Sequence, residues 1–251
     1  MGTNRPGAGA ESSLGTLKPP PDRLYGRSRG HKLRQRQEAL LAVTLPRLVL
    51  REANAADPKQ AFSGAADRAL WLEVGFGGGE HALAQIRAHP DVDLIACEVF
   101  ENGICSLLSA LVPDGQEADA PLPANLRLWT DDARVLLRAL PDACLDRLFL
   151  LFPDPWPKAR HAKRRFVHPA VLPLLARVLK PGGDWRVASD DPTYQAWVRD
   201  VMSAQTLFDA PAPATSRPED GHSTRYEAKA LLAGRTPLYW TFTRRDARRD
   251  V

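Results

Sequence analysis

Ala69-Leu-Trp-Leu-Glu73-Val-Gly75-Phe-Gly77-Gly-Gly79-Glu80 sets an apolar run directly against a cluster of glycines. Ala69–Val74 is a short apolar run that stops at glycines, and His81–Ala88 continues beyond them as a helix. The segment therefore reads as strand, tight turn and helix. The same alternation repeats along the rest of the chain. Val92–Val99 is a second buried strand, with Ser106–Val112 in the helix after it. Leu126–Trp129 is a third, with Val135–Leu140 helical behind it, and Leu145–Phe152 is a fourth, ended by Pro153. Pro169–Leu179 reads as a helix whose end Gly182–Gly183 punctuates, Asp184–Ala188 as a fifth strand and Tyr194–Met202 as a helix. Thr206–Asp209 and Leu238–Arg244 are two further strand candidates. Strands alternating with helices at this spacing predict an α/β fold, a parallel, doubly wound sheet with helices on both faces. Ligands of such sheets bind beyond the carboxyl ends of the strands, so the residues after each strand carry the functional argument.

Composition limits the alternatives. The chain has 251 residues, 44% of them hydrophobic, enough for one α/β domain and a short appendage. Its three cysteines, Cys97, Cys105 and Cys144, form no C-x-x-C pair, so neither a disulfide framework nor a cysteine metal site is expected, and buried thiols in a reducing cytosol are. No apolar run approaches the ~20 residues that cross a bilayer, and no signal-like segment opens the chain; a cytoplasmic protein without membrane partners is expected. Residues 1–22 are rich in Gly, Pro, Ala and Ser and are expected to be a disordered tail. Residues 23–68 form an appendage. Arg23–Arg36 is a basic arm, Gln37–Arg51 carries one or two helical turns interrupted at Pro46, and 52–68 is a loop. The regular domain occupies 69–251.

The glycine turn has the spacing E-x-G-x-G-x-G at Glu73, Gly75, Gly77 and Gly79. A dinucleotide fold asks for G-x-G-x-x-G with a helix N-terminus facing a diphosphate, but Glu80 stands where the third glycine would fall. That negative charge argues against a nicotinamide dinucleotide and suits a ligand without phosphates, such as S-adenosylmethionine. Glu98 ends the second strand at the distance where an acidic residue accepts ribose hydroxyls. Asp131 and Asp132 follow the third strand; either can accept from an adenine amino group, and either suits a helix N-cap. The fourth strand ends in Phe152-Pro-Asp154-Pro-Trp156-Pro157, where three prolines fix an aspartate beside an aromatic ring. A rigid Asp next to Trp suits a flat polar base that must be stacked and hydrogen-bonded. Lys158-Ala-Arg160-His161-Ala-Lys163-Arg164-Arg165 follows at once, a single-signed run that reads as a phosphate-binding strip. With the basic arm it gives two positive segments for one polyanion. Asp190 follows the fifth strand, and Thr224-Arg225-Tyr226-Glu227 offers a hydroxyl, a cation, an aromatic ring and a carboxylate that can line a base site.

Taken together, LEVGFGGG, the ACEV strand, NLRLWTDDA, the PDPW-K-RH-KRR block, ASDDPTY, SRP and TRYE resemble the bacterial tRNA (guanine-N7-)-methyltransferase family, over a span from Arg23 to about Arg244. The resemblance implies a class I methyltransferase, Rossmann-like, with a seven-stranded, mostly parallel sheet whose last strand is antiparallel. It implies S-adenosylmethionine as methyl donor and N7 of a guanine at position 46 of the tRNA variable loop as acceptor. It places Glu73, Gly75, Gly77, Gly79, Glu98, Asp132 and Asp154 at the cofactor, with Asp154 at the reaction centre. Lys158, Asp190 and Thr224–Glu227 become substrate contacts, and Arg160–Arg165 an RNA strip. No metal is implied, and a monomer is expected. The departures are Gly78 in place of a larger residue, Asp131 ahead of the matched Asp132, and Arg225 and Tyr226 for the more usual Lys and Phe. A same-fold methyltransferase acting on another RNA or on protein is the alternative. A non-catalytic RNA-binding module would leave Glu73, the glycines and Asp154 without purpose.

Overall fold

A computed structural model describes residues 28–62 and 67–246. The tail expected over 1–22 and the first residues of the basic arm, 23–27, lie outside the described residues. Among the described residues seven strands form one sheet: β1 (Ala69–Val74), β2 (Val92–Cys97), β3 (Leu126–Trp129), β4 (Leu145–Leu151), β5 (Leu179–Ser189), β6 (Phe208–Asp209) and β7 (Leu238–Arg244). Their order is β3-β2-β1-β4-β5-β7-β6. β7 runs antiparallel to both neighbours and every other pairing is parallel. The helices are α1 (Gln35–Ala39), α2 (Glu80–Ala88), α3 (Glu101–Leu111), α4 (Ala133–Ala139), α5 (Leu172–Val178), α6 (Pro192–Ser203) and α7 (Arg225–Leu232).

The pleat of β1 explains the double winding. Leu70 and Leu72 join a core with Leu136 and Leu137 of α4, Leu175 of α5 and Val198 of α6. Trp71, pointing the other way, joins Leu83 of α2 and Ile104, Leu107 and Leu108 of α3. A strand buried on both faces must be apolar almost throughout, as this one is. The chain passes outward from β1 to β2 and β3, then returns to lay β4 on the other side of β1. That reversal opens a crevice between the carboxyl ends of β1 and β4, where such sheets bind ligands.

Three expectations change. Gly182–Gly183 does not close a helix: α5 ends at Val178, and the glycine pair lies inside β5. Pairing with β4 shifts register between Leu145 and Arg147, and Gly182 takes φ +79° where β5 accommodates the shift. The N-terminal segment is more structured than one interrupted helix. After α1 come a π turn at Leu40–Thr44 and a 3-10 turn at Leu45–Arg47 that accommodates Pro46, and Leu48 and Leu50 then hydrogen-bond to Leu128 at the edge of β3. Finally, α7 stands where only an isolated polar tetrapeptide was expected.

Candidate active site

The turn after β1 is built for close approach. Gly75, Gly77 and Gly79 have φ of 77°, 59° and 84°, a region that side chains with a Cβ rarely enter. Gly77 N–H donates to Glu98 Oε2 at 2.7 Å, and Glu98 Oε1 accepts from Val99 N–H (2.8 Å) and Phe100 N–H (3.0 Å). The carboxylate thus ties the ends of β1 and β2 together. Three of its roughly four acceptor positions are used, which leaves room for one ligand hydroxyl. Burial pushes the Glu98 carboxyl above its ordinary range; the three backbone N–H groups oppose this and the charge of Asp154 adds to it. Glu98 and Asp154 line the same cleft, at the carboxyl end of the sheet.

Gly75, Gly77, Glu98, Asp131, Asp132 and Asp154 line one cleft of about 640 Å3, the size of a nucleoside-type ligand site. Asp132 caps α4, accepting from Arg134 N–H at 2.9 Å, and its carboxylate also holds the Arg134 guanidinium. Those hydrogen bonds overcome burial and keep the Asp132 carboxyl below its ordinary range. Asp131 Oδ1 accepts from Asp132 N–H at 2.6 Å and stays exposed. Both aspartates therefore face the cleft, one pre-occupied by an arginine. Cys97 also lines it, but burial pushes the thiol well up, so it stays neutral and is no nucleophile. The lining suits S-adenosylmethionine: carboxylates for a cationic, hydroxyl-bearing ligand, and glycines where a Cβ would obstruct it.

Asp154 sits in a strained turn. Phe152 and Trp156, two bulky residues, take φ of 51° and 43° on either side of it. Each such conformation costs on the order of 1–3 kcal/mol and persists only where the surroundings impose it. The Trp156 ring lies under the Arg164 guanidinium at 4.7 Å and edge-on to His161 at 5.8 Å. Tyr226 reaches the cleft from α7, its ring 3.0 Å from where a Cβ on Gly77 would stand.

Other predicted site residues are placed elsewhere. Glu73 is buried, its carboxylate 2.9 Å from His81 Nδ1, with Gln85 behind the imidazole at 3.0 Å. Gly79 faces Leu107, where a Cβ would come within 2.7 Å. Lys158, Arg160 and Lys163 are exposed on a 3-10 turn beside Trp156, and His161 is half-buried there. Desolvation, then the neighbouring Arg164 and Arg160, lower the His161 pKa. Arg165 is buried. Asp190 pairs with Arg235 at 2.5 Å. Thr224 Oγ1 caps α7 through Glu227 N–H at 3.0 Å, and Arg225 lies 3.7 Å from Glu80.

Glu227 turns inward, accepting from Arg217 (2.7 Å) and the Tyr239 hydroxyl (2.6 Å) at a small cavity that His81 and Phe152 also line. Burial works against its charge, but these donors hold the carboxyl below its ordinary range. Asp220, accepting from Arg186 at 2.7 and 2.9 Å and from Arg147 at 3.1 Å, fastens the segment before α7 to the sheet; its carboxyl is held down at about 2, chiefly by Arg186. Sequence reasoning missed Arg134, Asp220 and Tyr239, and noted Arg217 only as part of the SRP match without a role. It could have found α7, since T-x-x-E is a capping-box signature. Among the described residues, the arm runs along the start of α3: Ser28 C=O accepts from Glu101 N–H at 3.0 Å, and Asn102 donates to His31 C=O at 3.1 Å.

A family model described as "Putative methyltransferase" matches residues 67–238. A tRNA (guanine-N(7)-)-methyltransferase of Granulibacter bethesdensis is 65% identical over 92% of this chain and 98% of its own length. The chain belongs to the tRNA (guanine-N(7)-)-methyltransferase family. A methyltransferase of the same name from Rhodospirillum rubrum is 48% identical over 93% of the chain and 92% of its own length. Among solved structures, the 16S rRNA methyltransferase KamB superposes with a TM-score of 0.52 at 17% identity, over 78% of this chain and 95% of that one. That likeness shows the shared methyltransferase fold. Among the described residues, no helix of this methyltransferase is long and apolar enough to cross a membrane.

Proposed function

We propose that the chain transfers a methyl group from S-adenosylmethionine to N7 of a guanine in tRNA, at position 46 of the variable loop, and that Asp154 orients the base. The observation that carries the reading is the single cleft that gathers the glycine turn, Glu98 and Asp154, with exposed cations directly beyond it. The cofactor supplies an electrophilic methyl on a sulfonium. Gly75 and Gly77 let the ligand approach the backbone, Glu98 accepts from the ribose, and Asp131 and Asp132 face the adenine.

Guanine N7 carries an in-plane lone pair and needs no deprotonation, so the site does not require a strong base. What it requires is alignment and a charge that favours the developing purinium. Asp154, held between two strained residues and beside Trp156, meets both needs. A unit charge ~4 Å from the purine is worth ~4 kcal/mol at an effective dielectric of ~20, or roughly a thousandfold in rate. Lys158, Arg160 and Lys163 would take phosphates next to the bound base, and the arm along α3 would supply the second positive segment.

The test is incubation with the cofactor and unmodified tRNA, then mass spectrometry of the nucleosides. 7-Methylguanosine is expected at the variable loop. Asp154→Ala is expected to lose about a thousandfold in turnover while binding S-adenosylhomocysteine within a few-fold of the parent. Near-parental turnover in that variant would remove Asp154 from the reaction centre.

A further inference from the structure

We propose that Arg165 is a positioning residue for Asp154 and takes no phosphate of the polynucleotide. The inference rests on the proposed methyl transfer at the Asp154 turn.

Arg165 closes the basic run, yet it differs from its neighbours. Lys158, Arg160 and Lys163 are exposed, whereas Arg165 retains only 5% of its accessible surface. Its Nε donates to Pro155 C=O at 3.1 Å and its Nη2 to Trp156 C=O at 3.0 Å. The guanidinium also lies 4.7 Å over the ring of Trp197 on α6. One planar group thus grips two successive carbonyls immediately after Asp154 and locks them to the helical layer.

The turn needs such a clamp. Pro153, Pro155 and Pro157 have no N–H, so at these positions the backbone has no donor with which to hold itself. Its carbonyls must find partners from outside, and its positive-φ residues, Phe152 and Trp156, must be held against relaxation. Arg165 is suited to both tasks because its donors form a rigid fork, which a lysine ammonium does not. Without the clamp the turn relaxes and Asp154 leaves its aim, and a displacement of ~1 Å at a reacting centre costs about a hundredfold.

Arg165→Lys and Arg165→Gln are compared with the parent and with Arg160→Gln for kcat, KM for tRNA, and tRNA affinity over a salt series. Arg165→Lys is expected to lower kcat by about 10- to 100-fold with KM and salt slope unchanged. Arg160→Gln is expected to flatten the slope by about 0.7–0.9, one phosphate's worth. Methylguanidine is expected to restore turnover to Arg165→Ala, a rescue that general loss of stability would not show. Parental kcat in Arg165→Lys overturns the proposal, as does a flattened slope in that variant. Loss of the unfolding transition in every Arg165 variant, unrescued by methylguanidine, also overturns it, because the residue would then serve the fold at large. Absence of 7-methylguanosine from the parent's product would instead defeat the functional reading itself.

Discussion

Replacing Gly103 by alanine tests the packing that shapes the cleft. Gly103 lies within α3, where alanine ordinarily gains about 1 kcal/mol over glycine. Here a Cβ would stand 2.3 Å from the carbonyl oxygen of Gly77. That oxygen belongs to backbone and cannot rotate away. Restoring even a 3.0 Å contact moves α3 against the glycine turn by about 0.7 Å. Overpacking of this kind costs ~1–3 kcal/mol, which offsets or exceeds the helical gain. The displacement does not stay local, because Gly77 N–H is bonded to Glu98, which also holds Val99 and Phe100. Misplacement by ~1 Å costs about a hundredfold at a reacting centre, so a smaller shift at the ribose end should weaken S-adenosylhomocysteine by about tenfold. Urea unfolding and calorimetric titration read the two quantities. The expected result is a protein no more stable than the parent, with a Kd raised about tenfold. A variant about 1 kcal/mol more stable than the parent, with unchanged Kd, would refute the contact between α3 and the turn.

Glu98 predicts opposite pH responses. Its raised pKa means that its contribution to the stability of the ligand-free fold is present below the ordinary value of 4.5 and is lost as pH rises through the raised one. Ligand affinity runs the other way, because the ribose needs the carboxylate, and it falls as pH is lowered toward that same window. Titrations of S-adenosylhomocysteine across the acid range should show the fall, and Glu98→Gln should be weaker by about 10- to 100-fold at neutral pH and flat with pH. A pH-independent parent would contradict this. For the exposed strip, converting Lys158, Arg160 and Lys163 together to Gln should reduce the salt slope of tRNA binding by about 2–3. An unchanged slope would take the strip off the RNA.

The sheet was legible because its central strands β1 and β2 are largely apolar and buried, and because glycine, proline or acidic residues follow β1, β2, β4 and β5 closely. Ala69–Val74, Leu126–Trp129 and Leu238–Arg244 have the expected bounds. Gly182–Gly183 misled because glycine serves a bulged strand as readily as a helix end, and the choice depends on pairing with β4. The cleft residues Gly75, Gly77, Glu98 and Asp154 could be read from their positions after strands. Glu73 could not: facing α2, its carboxylate is taken by His81, a contact eight residues along the chain that side-chain direction alone decides. Arg165 was equally hidden, because a run of cations does not reveal which one turns inward. Arg217 and Tyr239 pair with Glu227 from 10 and 12 residues away, and Asp220 pairs with Arg186 and Arg147 from 34 and 73 residues away, separations for which a sequence holds no local signal.

Methyl transfer as proposed requires the crevice between β1 and β4 to hold the methyl donor with its reacting end at Asp154. A crystal structure of the S-adenosylhomocysteine complex measures this directly. The expected result is ribose density on Glu98, adenine between the glycine turn and Asp131–Asp132, and the sulfur toward Asp154. Density in the small cavity under Glu227, or a reversed ligand with adenine at Asp154, would contradict it.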